Sequence, residues 1–325
     1  MSQKPHDALF KAVFGQQLHA AGLLKSVLPA GVLPMLDWSS LELQPGSFVD
    51  EALRSRHTDL LFSVRGRRRE SVLLYVLVEH QSTVDRLMPL RAVIYASRIW
   101  ARYLDEQPRT VMPPVVYPIV LHHGATPWSA PTRLSEVLST GTVLDAELAA
   151  HIIDLDLVVR EIDEASCVAL HREGRLTALG ALALLVLETA RQSEDILADL
   201  RRWLGLMRAV LAEPTGVGAL TMVVQYIMQV TAASSEALEA LLVTGLGPGG
   251  EEAFVTGAEQ LREQGRQQGL QAGQARVLLK QLHLRFGTVP DAYAQRLQTS
   301  TEQDIDRWAE RVLGAPTIDD VFSDD

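Results

Sequence analysis

Two apolar, strand-length runs that each carry an acid constrain this chain more than any other feature. The first is Thr58-Asp59-Leu60-Leu61-Phe62-Ser63-Val64 and the second Val72-Leu73-Leu74-Tyr75-Val76-Leu77-Val78-Glu79-His80-Gln81-Ser82. Aliphatic and β-branched residues in runs of this length predict strands, and the Arg-rich stretch between them can turn a hairpin. Antiparallel pairing brings Asp59, which opens one strand, to the same end of the sheet as Glu79, which closes the other. Two carboxylates with no neutralising base make a site for a hard divalent cation such as Mg²⁺, the usual companion of phosphate substrates. Side chains alternate along a strand, so position 81 returns to the face of position 79. Gln81 can hydrogen-bond a water there but cannot take its proton, which suits positioning, and His80 on the other face reads as structural. The chemistry expected is metal-dependent cleavage of a nucleic acid. The plain structural alternative is a pair of strand-end carboxylates that cap turns or bridge to arginines.

Charge sharpens that expectation. The net charge is −10, which argues against a general nucleic-acid coat protein. Yet residues 1–100 hold 12 Lys/Arg against 9 Asp/Glu, a balance of +3, and leave −13 for the rest. Arg54, Arg56, Arg65, Arg67, Arg68 and Arg69 fall within 16 residues around the paired acids. They are candidates for phosphate-backbone contact, which is electrostatic and salt-sensitive; a solvated hairpin tip is the alternative for the last three. Acidity elsewhere limits non-specific binding.

The single cysteine, Cys167, excludes an intramolecular disulfide framework, suits a reducing cytoplasm, and reads as a helical core residue. Met1 to Pro5 leads directly into the polar His6-Asp7 pair, unlike a secretory signal. The longest apolar run, Leu176 to Val186, is too short to span a bilayer. A soluble cytoplasmic protein is therefore expected.

Along the chain, helical periodicity over residues 6–29 precedes short extended segments at Leu41-Glu42-Leu43 and Phe48-Val49, then the hairpin of residues 58–80. A helix over 87–104 and an apolar strand over 115–121, ended by His122-His123-Gly124, follow. A further strand is expected over 151–155. Adjacent histidines on a strand point to opposite faces, so His122 and His123 read as a strand end rather than a shared metal site. Asp154 and Asp156 read as solvated or capping groups. This order predicts an α/β fold with a mixed sheet covered on both faces. From residue 165 the pattern is helical: 176–188, 193–212, 218–230 and 232–242, then a Gly/Pro run at 245–250. Glycines 257, 265, 269 and 273 mark either a close-packing helix face or a loosened helix. Helices over 275–286, 290–298 and 302–313 complete the chain.

Several of these segments recur together in a known order: His6-Asp7-Ala8-Leu9-Phe10-Lys11, Phe48-Val49-Asp50-Glu51, Thr58-Asp59-Leu60-Leu61-Phe62 and Val78-Glu79-His80-Gln81-Ser82. Leu87-Met88-Pro89-Leu90-Arg91 and Pro113-Pro114-Val115-Val116-Tyr117-Pro118-Ile119-Val120-Leu121-His122-His123-Gly124 continue the series. Over roughly residues 5–250 the chain resembles the recombination-promoting nuclease, or transposase-like, family of the PD-(D/E)XK nuclease superfamily. Residues 275–322 resemble a small C-terminal domain of unknown function often appended to it. The resemblance implies a restriction-endonuclease-like core at 1–160 with a helical extension at 161–245. A Gly/Gln-rich linker helix at 246–274 and a small helical module at 275–325 would follow. It implies a Mg²⁺-dependent DNA endonuclease, with Mn²⁺ as a substitute ion, linked to recombination or mobile elements. Asp59 would be the Asp of the superfamily pattern, Glu79 the second acid and Gln81 the third position. Asp7 or Glu51 would add a metal ligand, against the commoner N-capping role for Asp7. Thr58 stands where the pattern has proline, and Gln81 where it has lysine, which leaves a water without a cationic partner. Nothing resembles a helix-turn-helix or zinc finger, so low sequence specificity is expected. The rival reading is a catalytically degenerate protein that binds DNA or another protein, and RNA as substrate stays open. A homodimer would supply one site per DNA strand.

Overall fold

A computed structural model describes residues 5–45, 58–67, 71–79, 84–122, 126–138, 151–161 and 163–323. The chain divides into two compact units, one ending at Phe254 and one running from Val255.

The first unit is built on a five-stranded sheet in the order β1 (Leu36–Leu43), β2 (Thr58–Gly66), β3 (Ser71–Glu79), β4 (Val115–His122) and β5 (Val158–Glu161). The first three strands pair antiparallel and the last three parallel, so the sheet is mixed. The near-continuous apolar runs of β3 and β4 suit strands buried on both faces.

On one face lie α1 (Pro5–Phe14) and α2 (Gln17–Val27). The buried side of α1 is Leu9, Phe10, Val13 and Phe14 at helical spacing, and Leu60, Phe62 and Val64 of β2 with Ile119 and Leu121 of β4 complete that core. The periodicity over 6–29 breaks at Gly15-Gln16, so the expected single helix is two. On the opposite face α3 (Met88–Glu106) buries Met88, Ala92, Tyr95 and Ile99 against Leu61 and Val120. Alternation thus sends even positions of β2 to one core and odd positions to the other.

The strand expected over 151–155 forms instead at Val158–Glu161, in register with Ile119–His122. Asp154 accepts from the Ser135 backbone N–H (2.9 Å), and Asp156 takes a bidentate ion pair from Arg133 (2.7 Å for each bond). Those bonds hold residues 154–156 to the 133–135 segment and away from the ladder.

Helices extend the first core: α4 (Glu164–Arg172), α5 (Ala178–Thr189), α6 (Ile196–Arg202), α7 (Leu204–Leu211), α8 (Gly216–Val230) and α9 (Ser235–Leu246). α5 is apolar all round and buried from Ala178 to Leu187, the pattern of a central helix. The helix expected over 193–212 is divided at Trp203. Gly247, whose positive φ of 70° favours glycine, ends α9, and α10 (Pro248–Phe286) starts at the next residue. Among the described residues no helix is long and apolar enough to cross a membrane.

The second unit has its own core. Leu278 and Leu282 of α10, Leu297 of α11 (Asp291–Thr299), and Ile305 and Trp308 of α12 (Glu302–Arg311) pack with Val312, Val321 and Phe322. Thr301 caps α12 in a reciprocal box with Asp304. A Cβ at Gly265, Gly269 or Gly273 would meet no atom within 4 Å, so that row is open rather than packed against a neighbour.

Candidate active site

β2 and β3 pair with Thr58 opposite Val78 and Asp59 opposite Leu77. Glu79 follows Leu77 by two positions, so the two-residue period assigns positions 59, 77 and 79 to one face at one end of the hairpin. Leu61 of β2 and Val120 of β4, which is in register with Leu77, identify that face as the one covered by α3. The side chains of Asp59 and Glu79 lie outside the described residues, as do Gln81, Arg54, Arg56, Arg68, Arg69, Glu51 and His123.

The row continues across the sheet. Glu79 of β3 is in register with His122 of β4, which in turn is in register with Glu161 of β5. The His122 ring is 2% exposed, packs edge-on against Trp128 (5.4 Å between centroids, 80°), and donates from Nε2 to the Thr126 carbonyl at 2.8 Å. Its Nδ1 has no hydrogen-bond partner among the described residues. Glu161 accepts from the Trp128 backbone N–H, which ties the loop after β4 to β5.

α3 runs against β4. Trp100, in its second half, donates to the Pro114 carbonyl at the start of β4 (2.8 Å), so its first turn lies toward the end that holds positions 59, 79 and 122. There Arg91 pairs with Asp85 at 2.6 Å and donates to the Tyr95 hydroxyl at 2.7 Å. A guanidinium fixed at that end was not assigned a role from sequence; an Arg in the first turn of the helix that follows the strand ending in Glu79 is the signal that could have singled it out.

The remaining candidates are placed elsewhere. Asp7 stands in the first turn of α1, which packs on the Leu60/Phe62/Val64 face, opposite the face of positions 59 and 79. A carboxylate from α1 would have to reach around the end of the sheet. Arg65 and Arg67 lie at the hairpin tip, six to eight residues from Asp59 and so about 20 Å or more along the strand. They share the tip with Lys25, whose ammonium sits 5.1 Å over the Trp38 ring, and with Asp37, 3.7 Å from Arg65. A hydrogen bond from the Ser39 hydroxyl, helped by Arg65 and Arg67, holds the Asp37 carboxyl below the usual range. Among the described residues the tip is thus a cationic surface that includes the acid Asp37. About 20 Å covers roughly six phosphates of one DNA strand at ~3.4 Å each.

The donor set at positions 59 and 79, two carboxylates on one face, fits a hard divalent cation that keeps waters for the rest of its shell. Among the described residues no group of three or more His, Cys, Asp or Glu is placed to hold a metal ion.

A family model described as "Putative transposase, YhgA-like" matches residues 4–217. The chain is 37% identical over 128 residues to recombination-promoting nuclease RpnD of Escherichia coli O157:H7, covering 38% of this chain and 48% of that protein. It is 37% identical over 123 residues to recombination-promoting nuclease RpnA of Escherichia coli strain K12 (38% and 41%). It is also 31% identical over 125 residues to the inactive recombination-promoting nuclease-like protein RpnE of the same strain (38% and 41%). The chain spans about half the length, or less, of these curated relatives. No solved structure matches.

Proposed function

The chain belongs to the YhgA-like transposase family, and from that premise we propose that it is a metal-dependent DNA endonuclease of low sequence specificity, linked to recombination and acting in the cytoplasm. The observation that carries this reading is the β2–β3 register, which sets Asp59 and Glu79 on one face at one end of the sheet. In this reading the mixed sheet is a restriction-endonuclease-like, PD-(D/E)XK core.

Asp59 and Glu79 would hold Mg²⁺, with Mn²⁺ as a substitute. The bound ion would neutralise a non-bridging phosphate oxygen and acidify a water. Gln81 orients that water through its amide but has no proton affinity to offer, so the activity is slower than a lysine at this position would allow. Arg65 and Arg67 contact the phosphate backbone at a distance from the scissile bond, which positions the duplex without reading bases, and Arg54, Arg56, Arg68 and Arg69 are candidates for the same kind of contact. A homodimer would present one site to each strand of a duplex.

The test is nicking of supercoiled plasmid at low salt with Mg²⁺ or with EDTA. Cleavage by the wild type that is lost in both Asp59→Ala and Glu79→Ala, by at least about a hundredfold, supports the nuclease and its metal site. A faster Gln81→Lys would identify the glutamine as limiting. A second reading has its own observation: two of the similar proteins, RpnE and YjiP, carry names that describe them as inactive. Wild-type protein that binds DNA yet fails to cleave it under any divalent ion would favour a degenerate binding protein instead.

A further inference from the structure

Beyond the two carboxylates, His122 stands at the same end of the sheet with one ring nitrogen unsatisfied among the described residues. A carbonyl only accepts, so the 2.8 Å contact with Thr126 requires a proton on Nε2. In the neutral ring Nδ1 then carries a lone pair, and that atom is buried without a partner among the described residues. Such an atom is costly unless something electron-poor meets it. A carboxylate, which also only accepts, can meet this nitrogen only through a proton or a cation held between them. The ring is not free to turn away, since Trp128 packs against it and Thr126 holds Nε2. The register neighbour on β3 is Glu79, and β3 also carries Leu77, the partner of Asp59.

We propose that His122 Nδ1 is a nitrogen donor to the cation held by Asp59 and Glu79, making the centre a mixed nitrogen–oxygen site that binds Mn²⁺ more tightly than Mg²⁺, with Mg²⁺ still the ion that serves in cleavage. The inference rests on the metal-dependent reading above and deepens it. Imidazole suits borderline transition metals, whereas Mg²⁺ favours carboxylate, carbonyl and water. The Thr126 carbonyl on Nε2 is the outer hydrogen bond that metal-ligating histidines commonly make, fixing the tautomer and raising the basicity of the other nitrogen. His123, the neighbour in sequence, belongs to the opposite face by alternation and is not part of the set.

The experiment uses the full chain with Mn²⁺ or Mg²⁺ alone. Pulsed electron paramagnetic resonance on wild-type protein with Mn²⁺ reads coordinated nitrogen directly as ¹⁴N modulation. The expected result is a histidine-type modulation that disappears in His122→Phe, a variant that keeps a ring against Trp128 and removes both nitrogens. Calorimetric titration is expected to show Mn²⁺ affinity falling about tenfold in His122→Phe while Mg²⁺ affinity changes less than threefold. His122→Asn, with an oxygen donor in place of nitrogen, should move the preference toward Mg²⁺. Bound Mn²⁺ with no nitrogen modulation in the wild type, or modulation that persists in His122→Phe, overturns the proposal even if His122→Phe folds poorly. Asp59→Ala and Glu79→Ala separate the two levels. If they abolish Mn²⁺ binding while His122→Phe leaves it unchanged, only the nitrogen ligand fails. If they too leave it unchanged, the metal centre itself fails.

Discussion

Glu188 shows how a single side chain sets a pH dependence. It lies near the end of the buried helix α5, and one carboxyl oxygen has no partner among the described residues. Burial first, then the nearby Asp163 and Glu164 charges, push its pKa up from 4.5 to about 7. The folded state therefore binds more protons than the unfolded chain between those values, so this contribution to stability is present at low pH and is lost as pH rises through 7. Glu188→Gln should remove the penalty. At pH 8 the variant is expected to be more stable by about 1–2 kcal/mol, after discounting for partial exposure, and its melting temperature should vary less between pH 5 and 8. An unchanged melting profile would count against this account. Cys167, packed in the same core, is fully buried, and burial raises its thiol pKa, which leaves it a packing residue as its sequence context implied. His19 is the converse case: burial lowers its pKa despite Glu213. Thr177 Oγ accepts from the Gly180 N–H at the start of α5 and can donate to His19 Nδ1 at 2.8 Å, an arrangement that suits the neutral ring.

At the scale of elements, two contacts decide how the pieces sit. α2 passes so close to the 175–177 segment that a Cβ on Gly22 would lie 2.9 Å from the Arg175 carbonyl oxygen. Gly22→Ala should cost about 1–3 kcal/mol, read by chemical denaturation, because a backbone atom rather than a flexible side chain must give way. The hairpin tip carries the electrostatic expectation. If Arg65 and Arg67 touch DNA phosphates, replacing both with serine should reduce the slope of log affinity against log salt by about 0.9 per contact and leave sequence preference unaltered. An unchanged slope would show the tip to be a solvated turn. Much at this scale was legible from sequence. The hairpin, the 88–106 helix and the 115–122 strand follow from apolar runs and their period, and they formed close to where those patterns placed them. Residues 151–155 did not, because Arg133 and Ser135, far away in sequence, capture Asp154 and Asp156. No local pattern encodes that competition.

For the whole molecule, the two units carry separate cores, the first on both faces of the sheet with its larger part around α5, the second around Trp308. Trp308 is 1% exposed, with Arg296 5.1 Å over its ring. Trp308→Ala should destabilise the 255–325 unit by about 3–5 kcal/mol. Calorimetry should show the loss in the transition of that unit, with the transition of residues 5–254 little changed; an equal shift of both would show that they unfold together. The amino-acid sequence by itself determined the type of most long elements and the hairpin whose strands carry Asp59 and Glu79, because local period, turn chemistry and short chain separation suffice for those. It also carried the family, through motifs whose order survives without any coordinates. Only the tertiary structure decided which face of the sheet each strand position joins, and that His122 lies in register with Glu79. The alignment of β3 with β4 is set by how α3 packs between two strands 36 residues apart, from Glu79 to Val115. That is a balance of burial and ladder hydrogen bonds over the whole unit, which no short stretch of sequence contains.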